Sequence, residues 1–327
     1  MLQPYEKEKP LLQIKGLQKY FPINNSFGKT VSHVKAVNNV TFELYEKETL
    51  GIVGESGCGK STMGRTILRL TEPTAGEALY KGQNIFKFDD KKFLSVRKDL
   101  QMVFQDPHSS LNPKKRIGFS IEEPMKIQNI GTKNERTEIA MDLLNKVGLR
   151  ADQYYRYPHE FSGGQRQRIG LARAMAVNPK IIICDEPVSA LDVSIQSQVI
   201  NLLQELQEEF KQSYLFIAHD LSVVRHIAHR IGVMYLGNIV ELATTDELFK
   251  NPLHPYSQAL LSAVPIPNPT VKKTRIIING DVPSPTNLPS GCVFHTRCPH
   301  AMDRCKVEVP QLTKVAPGHT VACHLYE

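Results

Sequence analysis

A glycine-rich loop near the start of the chain carries the plainest chemistry. Gly54-Glu55-Ser56-Gly57-Cys58-Gly59-Lys60-Ser61 fits the pattern G-x-x-x-x-G-K-[ST], with an apolar strand before it and a predicted helix, Ser61 to Leu70, after it. Glycines allow positive φ, so successive N–H groups can face phosphate oxygens, and the helix start adds positive potential. The loop and Thr62 are therefore predicted to bind a nucleotide's phosphates, with Lys60 at the β- and γ-phosphates and Ser61 on Mg²⁺.

A second group of polar residues follows a buried strand further along the chain. The apolar run Ile181-Ile182-Ile183-Cys184 ends in Asp185 and Glu186. Ligands of open α/β sheets bind at the carboxyl ends of the strands. We expect Asp185 to hold Mg²⁺ through water and Glu186 to orient and polarise an attacking water, which is the chemistry of ATP hydrolysis.

The elements that must position these residues can be predicted from apolar patterning. Residues 10–48 alternate apolar and polar side chains, which predicts an antiparallel β region. Buried strands at 181–184 and 214–218 alternate with helical patterns such as Glu135–Val147, which predicts a parallel α/β core. Prolines become frequent after about residue 250, so we place a domain boundary at 262/263 and expect an irregular extension over residues 263–327.

Composition excludes several classes of protein. The chain has 327 residues and a net charge of +7, with dispersed basic residues and no Trp, so we expect no nucleic acid partner. No apolar stretch is long enough to cross a bilayer. Residues 1–7 have no apolar core before their charges, so a secretory signal is not expected.

A further motif resembles the signature sequence of the ATP-binding-cassette (ABC) ATPases. Phe161-Ser162-Gly163-Gly164-Gln165 differs from the usual Leu-Ser-Gly-Gly-Gln only at an apolar position. The resemblance implies a P-loop NTPase of the ABC type: a RecA-like parallel sheet core, an antiparallel β subdomain and an α-helical subdomain over about residues 106–175. It also implies a head-to-tail dimer, in which Ser162, Gly163, Gly164 and Gln165 bind the ATP held by the other cassette's P-loop.

Other positions match the same family in order. Gln105 resembles the Q-loop residue that contacts Mg²⁺ and water and couples to a membrane partner. Asp192 matches the D-loop, which crosses the dimer interface, and His219 matches the switch histidine on the γ-phosphate. An aromatic residue before the first strand pair should stack on adenine; we choose Phe21, with Tyr20 as the alternative.

Two segments after the cassette narrow the resemblance. His254-Pro255-Tyr256 and the run from Gly291 to Pro299 resemble the ATPase subunits of bacterial oligopeptide and dipeptide importers, with an order typical of the F-type subunit. The implied function is ATP hydrolysis that powers peptide uptake. The implied partners are a D-type ATPase subunit, two transmembrane permeases and an extracytoplasmic peptide-binding protein, and the implied place is the cytoplasmic face of the inner membrane.

Three alternatives remain open at this point. Nickel and glutathione importers share much of the pattern. A soluble ABC ATPase acting on DNA or ribosomes usually has two cassettes or long coiled coils, which this chain lacks. A non-catalytic redox or regulatory module is disfavoured by the presence of Glu186 and His219.

The cysteines are concentrated near the end of the chain. Cys292, Cys298, Cys305 and Cys323 lie in a segment with little core of its own, which suits a metal site. The wide spacing and the Cys298-Pro299 pair favour a [4Fe–4S] cluster over Zn²⁺, and small buried thiols without metal are the third possibility. We expect His295, His300, His319 and His324 at the surface. Cys58 should contribute only backbone, and Cys184 should be a core residue.

Overall fold

The computed structural model describes residues 9–106, 110–264 and 275–327. The strands are β1 Leu12–Asn24, β2 Thr30–Leu44, β3 Thr49–Val53, β4 Ala75–Tyr80, β5 Gln83–Asn84, β6 Leu100–Val103, β7 Ile181–Asp185, β8 Ser213–Ile217, β9 Arg230–Tyr235, β10 Asn238–Thr244, β11 Thr313–Ala316 and β12 His319–Val321. The helices are α1 Lys60–Ile67, α2 Asp90–Asp99, α3 Ile117–Ile127, α4 Lys133–Lys146, α5 Gly163–Met175, α6 Val193–Phe210, α7 Leu221–Ile227, α8 Thr245–Lys250, α9 Pro255–Ser262 and α10 Asp303–Val307.

The chain divides into two compact units. One unit comprises residues 1–45, 49–86 and 218–327, and the other comprises residues 46–48 and 87–217. The expectation about a secretory signal concerns residues 1–7, which lie outside the described residues, as do parts of the predicted helical subdomain (107–109) and extension (265–274). The boundary at residue 263 stays a prediction. Within the described ranges, no helix is both long and apolar enough to cross a membrane.

The first unit contains an antiparallel sheet of four strands in the order β2-β1-β4-β5. The alternating pattern of the sequence explains it: along β2, Val40, Phe42 and Leu44 are buried, whereas Thr41 is exposed. The predicted antiparallel β region is thereby confirmed, and one face of the sheet supplies part of the unit's core.

The same unit holds a second run of strands, β11-β12-β10-β9-β3. β3 is parallel to β9, and β9 and β10 form an antiparallel hairpin. Every residue of β3 is buried. At Gly51 a Cβ would lie 2.3 Å from Cγ1 of Val224 on α7, so only glycine allows this strand to pack so closely against the helix. The end of β3 is the start of the glycine-rich loop.

The second unit contains the parallel strands β6, β7 and β8, with β7 in the middle. Strand β7 is buried along its whole length, as its apolar sequence predicts. The predicted amphipathic helix is α4, which begins with a capping box between Thr132 and Glu135 and buries Ala140, Leu143 and Leu144.

The carboxyl-terminal segment, described over residues 275–327, contains more regular secondary structure than the irregular extension predicted from the sequence. It contains α10 and the hairpin β11–β12, and β12 pairs with β10 through the register Glu241↔Val321 and Leu242↔Thr320. The hairpin turns at Gly318, which has a φ of +68°. The strands are short and follow prolines, so their alternation was too brief to identify from the sequence.

Candidate nucleotide site

The glycine-rich loop of the first unit runs against neighbouring backbone. A Cβ at Gly54 would lie 2.1 Å from the carbonyl oxygen of Met234, and one at Gly59 would lie 1.9 Å from that of Ala36. Both glycines also have positive φ, +156° and +105°. Any side chain at either position would therefore displace β9 or β2, which is the physical reason for glycine here.

Lys60 begins α1 and lies inside the loop. Its side chain is buried, and its ammonium donates hydrogen bonds to the carbonyl oxygens of Gly54 at 2.8 Å and Glu55 at 3.0 Å. Ser61 and Thr62 are half-buried in the first helical turn. The loop thus holds a fixed positive charge where the sequence predicts phosphate groups.

The side chain of Cys58 lies beside that of Lys60. Its thiol is buried and lies 3.7 Å from the Lys60 ammonium. Burial raises the pKa of the thiol, although the lysine acts in the opposite direction. The expectation that Cys58 contributes only its backbone to phosphate binding stays a prediction, and the raised pKa makes the thiol a poor nucleophile.

Tyr20 and Phe21, the two candidates for stacking on adenine, are consecutive residues of β1. They differ in hydrogen bonding and in the exposure of the ring. The Tyr20 hydroxyl donates a 2.6 Å hydrogen bond to Oδ1 of Asn38. Phe21 is 39% exposed, and the Lys19 ammonium lies 4.7 Å from its ring centroid. The more accessible ring is that of Phe21. Its role with adenine stays a prediction.

His219 also belongs to the first unit. It is exposed, and it follows Ala218, whose N–H donates a 3.1 Å hydrogen bond to the carbonyl of Ile52 in β3. This bond fixes the backbone immediately before the histidine. The contact of His219 with a γ-phosphate stays a prediction.

In the second unit, the structure brings together two of the predicted catalytic residues. The side-chain amide of Gln105 donates a 3.0 Å hydrogen bond to Oε2 of Glu186. Glu186 has a φ of +45°, a strained conformation for a residue with a side chain, and its N–H bonds to the carbonyl of Ile217 at 3.0 Å. Asp185, at the end of β7, is fully buried. The sequence identified each residue but not the bond between them.

The signature segment and the D-loop surround one hollow in the same unit. Ser162 caps α5, accepting a hydrogen bond from the N–H of Gln165, whose side chain bonds back to the Ser162 N–H. Asp192 caps α6. Residues 162–165 and Asp192 line a hollow of about 570 Å³. The signature and D-loop residues are therefore neighbours on an accessible surface.

The four cysteines of the carboxyl-terminal segment are placed near one another. Cys292, Cys305 and Cys323 are buried and Cys298 is half-buried, and the N–H of Cys292 bonds to the carbonyl of Cys305 at 2.8 Å. Burial raises the pKa of Cys292 to about 11, and the other three thiols act in the same direction. Among the residues that the structure describes, however, no group of three or more His, Cys, Asp or Glu is arranged to hold a metal ion. The thiols are neighbours, but this arrangement is not a formed metal site.

Two of the four histidines predicted at the surface are buried instead. Nε2 of His319 lies 2.7 Å from Oε1 of Glu241, with both side chains almost fully enclosed. Nδ1 of His324 lies 2.7 Å from the Glu327 carboxylate. The prediction is wrong for His319 because the buried carboxylate of Glu241 requires polar partners. That carboxylate also accepts the backbone N–H groups of residues 253 and 254.

Cys184, the remaining cysteine, lies in the core rather than in the candidate nucleotide site. Its side chain is fully buried in β7, and burial raises its pKa to about 12. The prediction of a small core residue is consistent with this environment.

Comparison with known proteins identifies the family. Residues 37–189 match the family described as "ABC transporter", and residues 240–305 match "Oligopeptide/dipeptide transporter, C-terminal region". The chain is 58% identical to the oligopeptide transport ATP-binding protein AppF of Bacillus subtilis (strain 168), over 98% of each chain. The chain belongs to the ATP-binding subunits of oligopeptide and dipeptide ABC importers. The family predicted from the motifs is thereby confirmed.

Further relatives and solved structures agree with this membership. The importer subunit is 48% identical to the dipeptide transport ATP-binding protein DppF of Haemophilus influenzae, over 99% of each chain. A dimeric, post-hydrolysis structure of the ATP-binding cassette MJ0796 bound to ADP and Pi superposes with a TM-score of 0.64 at 30% identity, covering 72% of this chain and 98% of that one. The predicted ABC cassette fold is confirmed.

Proposed function

We propose that this subunit binds MgATP and hydrolyses it to power the uptake of oligopeptides or dipeptides by a bacterial importer. The observation that carries the proposal is the complete set of nucleotide motifs in a chain 58% identical to an oligopeptide transport ATP-binding protein over almost its whole length. An importer for nickel or glutathione, and a soluble ABC ATPase, are the competing assignments.

In the proposed reaction, water attacks the γ-phosphorus of ATP, the bond to the β,γ-bridging oxygen breaks, and ADP and phosphate leave. Residues 54–62 cradle the phosphates, and Lys60 balances their charge. Ser61, Asp185 and Gln105 would hold Mg²⁺, and the bound ion would supply neutralisation of phosphate charge. Glu186 orients the water and accepts its proton, and its bond to Gln105 fixes the carboxylate.

The proposed active form contains a second cassette. Ser162, Gly163, Gly164 and Gln165 would bind the ATP held by the partner's P-loop, His219 would contact the γ-phosphate held by its own chain, and Asp192 would cross the interface. The position of the signature and D-loop around one accessible hollow supports this proposal. We propose an F-type identity for this chain and a heterodimer with a D-type subunit.

The proposed partners beyond the ATPase pair are two transmembrane permeases and an extracytoplasmic peptide-binding protein. The subunit would act peripherally, at the cytoplasmic face of the inner membrane. In fractionated cells we expect it to sediment with membranes only when the permeases are present. Sedimentation with nucleic acid or ribosomes would favour a non-transport ABC ATPase instead.

The decisive experiment is transport by the reconstituted complex. Proteoliposomes that contain both permeases and both ATPase subunits, supplied with the binding protein, should accumulate labelled peptide only with MgATP. Lys60→Ala should abolish uptake. Uptake of nickel or glutathione in place of peptides would overturn the substrate assignment while leaving the ATPase assignment intact.

We also propose that Cys292, Cys298, Cys305 and Cys323 ligate a [4Fe–4S] cluster, with Zn²⁺ as the alternative metal. The donor set supports this proposal, because four neighbouring thiols suit either metal. Since the described arrangement is not a formed metal site, binding requires these side chains to move together. Anaerobically purified protein should contain about four irons and four sulfides per chain, lost in Cys305→Ser. Zinc without sulfide would identify the alternative, and the absence of both would exclude a metal.

A further inference from the structure

Within the first unit, Arg297 of the carboxyl-terminal segment contacts the glycine-rich loop. Nη1 of Arg297 lies 3.3 Å from Oε2 of Glu55, the second residue of the loop. The same nitrogen lies 3.3 Å from the Tyr235 hydroxyl. The arginine side chain is only 9% exposed and the glutamate side chain 30%. An ion pair this enclosed has a stronger interaction than one on an open surface.

Both partners of this ion pair are held in place by other groups. The N–H of Glu55 donates a 3.0 Å hydrogen bond to the Tyr256 hydroxyl. The N–H of Arg297 donates to the carbonyl of Phe294 at 3.0 Å. Phe294 is fully buried, with its ring centroid 5.2 Å from that of Tyr235 and 5.5 Å from that of Tyr256. The Arg297–Glu55 contact is therefore fixed by packing on both sides.

The negative charge of Glu55 lies in the loop that is predicted to bind the phosphates of ATP. Its carbonyl oxygen accepts a 3.0 Å hydrogen bond from the ammonium of Lys60. A carboxylate in a loop that binds phosphates repels them, and this repulsion weakens when a cation neutralises the carboxylate. Arg297 is the guanidinium that the structure places against that carboxylate.

We propose that Arg297 sets the ATP affinity of this subunit by neutralising and positioning Glu55. Arg297 is a positioning residue, because it acts through Glu55 rather than on the nucleotide. Arg297 lies in the carboxyl-terminal segment, which is the part of the chain typical of peptide importers. Through Arg297, this segment would also support the nucleotide site. The inference rests on the proposed role of residues 54–62 in binding ATP.

The test is equilibrium binding of a fluorescent ATP analogue, with Mg²⁺, to the full-length chain. Arg297→Gln should raise the Kd about tenfold, because it leaves the Glu55 carboxylate unneutralised. Arg297→Lys should retain most of the affinity. The double variant Glu55→Gln/Arg297→Gln should recover affinity to within about threefold of the wild type, because removal of the carboxylate removes the repulsion.

Matched controls separate this inference from its alternatives. Arg304→Gln removes another arginine of the same segment, one that pairs with Glu308 and Glu327, and should leave the Kd unchanged. A Kd for Arg297→Gln within twofold of the wild type, or a double variant as weak as Arg297→Gln alone, overturns the inference, since a purely structural arginine would not be rescued by Glu55→Gln. Lys60→Ala should abolish binding; if it does not, the proposed nucleotide site fails instead. Should Arg297→Gln not fold, the loss in Arg297→Met and its rescue by Glu55→Gln decide the question.

Discussion

The side-chain amide of Gln105 donates a 3.0 Å hydrogen bond to the carboxylate of Glu186, which joins two residues 81 positions apart. β7 ends at Asp185, and the chain then turns at Glu186 with a φ of +45°. A non-glycine residue with positive φ costs free energy, so the surrounding structure must hold it. The bond gives Gln105 a direct means of orienting the proposed catalytic carboxylate.

Replacement of Glu186 should separate ATP binding from hydrolysis. Glu186→Gln keeps the size of the side chain and removes the group that accepts a proton from water. We expect the ATPase rate of the assembled complex to fall by about two to four orders of magnitude, with ATP still bound. Phosphate release measures the rate, and size-exclusion chromatography with MgATP should show a trapped cassette dimer.

Glu208→Gln is the matched control for this variant. Glu208 is exposed on α6 of the same unit, so the loss of its charge should leave turnover unchanged. Normal turnover in Glu186→Gln would remove Glu186 from its proposed role.

The adenine platform can be assigned by paired substitutions on β1. Because Phe21 is the more exposed ring, Phe21→Ala should weaken binding of the ATP analogue by roughly 1–3 kcal/mol, the range for a lost base–aromatic stack. Tyr20→Phe should leave affinity unchanged and lower the free energy of unfolding by about 1 kcal/mol, since it loses only the bond to Asn38. If Tyr20→Ala weakens binding and Phe21→Ala does not, Tyr20 is the platform.

The parts of the site that could be predicted from the sequence are those built from residues close together in the chain. The loop at residues 54–61 requires glycine at particular positions, and the apolar strand β7 leads directly into Asp185 and Glu186. Contacts between distant residues leave no such pattern. His319 and Glu241 lie 78 positions apart, and Arg297 and Glu55 lie 242 apart. These pairs depend on how the carboxyl-terminal segment packs, which periodicity does not encode.

Phe294 should anchor the carboxyl-terminal segment. Its ring is fully buried among Tyr235, His254 and Tyr256. Phe294→Ala should lower the free energy of unfolding by about 3–5 kcal/mol, the cost of a large cavity. Chemical denaturation measures this change, and hydrogen exchange should show faster exchange around Arg297 and β12.

Val307→Ala provides the control for Phe294→Ala. Val307 is 74% exposed in the same segment, so its truncation should change stability by less than about 0.5 kcal/mol. Equal losses in the two variants would show that packing of Phe294 does not anchor the segment.

His254 should make stability depend on pH. The imidazole is fully buried, and burial lowers its pKa from 6.5 to about 4, although the charge of Glu241 acts in the opposite direction. As pH falls below 6.5, the unfolded chain binds a proton that the folded chain does not. The free energy of unfolding should therefore fall between pH 6.5 and 4, by about 3 kcal/mol in all, and no further below pH 4.

His254→Asn isolates this contribution. Nδ1 of His254 accepts the N–H of Tyr256 at the start of α9, and asparagine can accept the same bond without titrating. Denaturation of both proteins at several pH values gives two stability curves. Because only the wild type carries the His254 imidazole, its free energy of unfolding relative to that of His254→Asn should fall by about 3 kcal/mol as pH falls from 6.5 to 4. Parallel curves would mean that the His254 imidazole binds its proton equally well in the folded and unfolded chains.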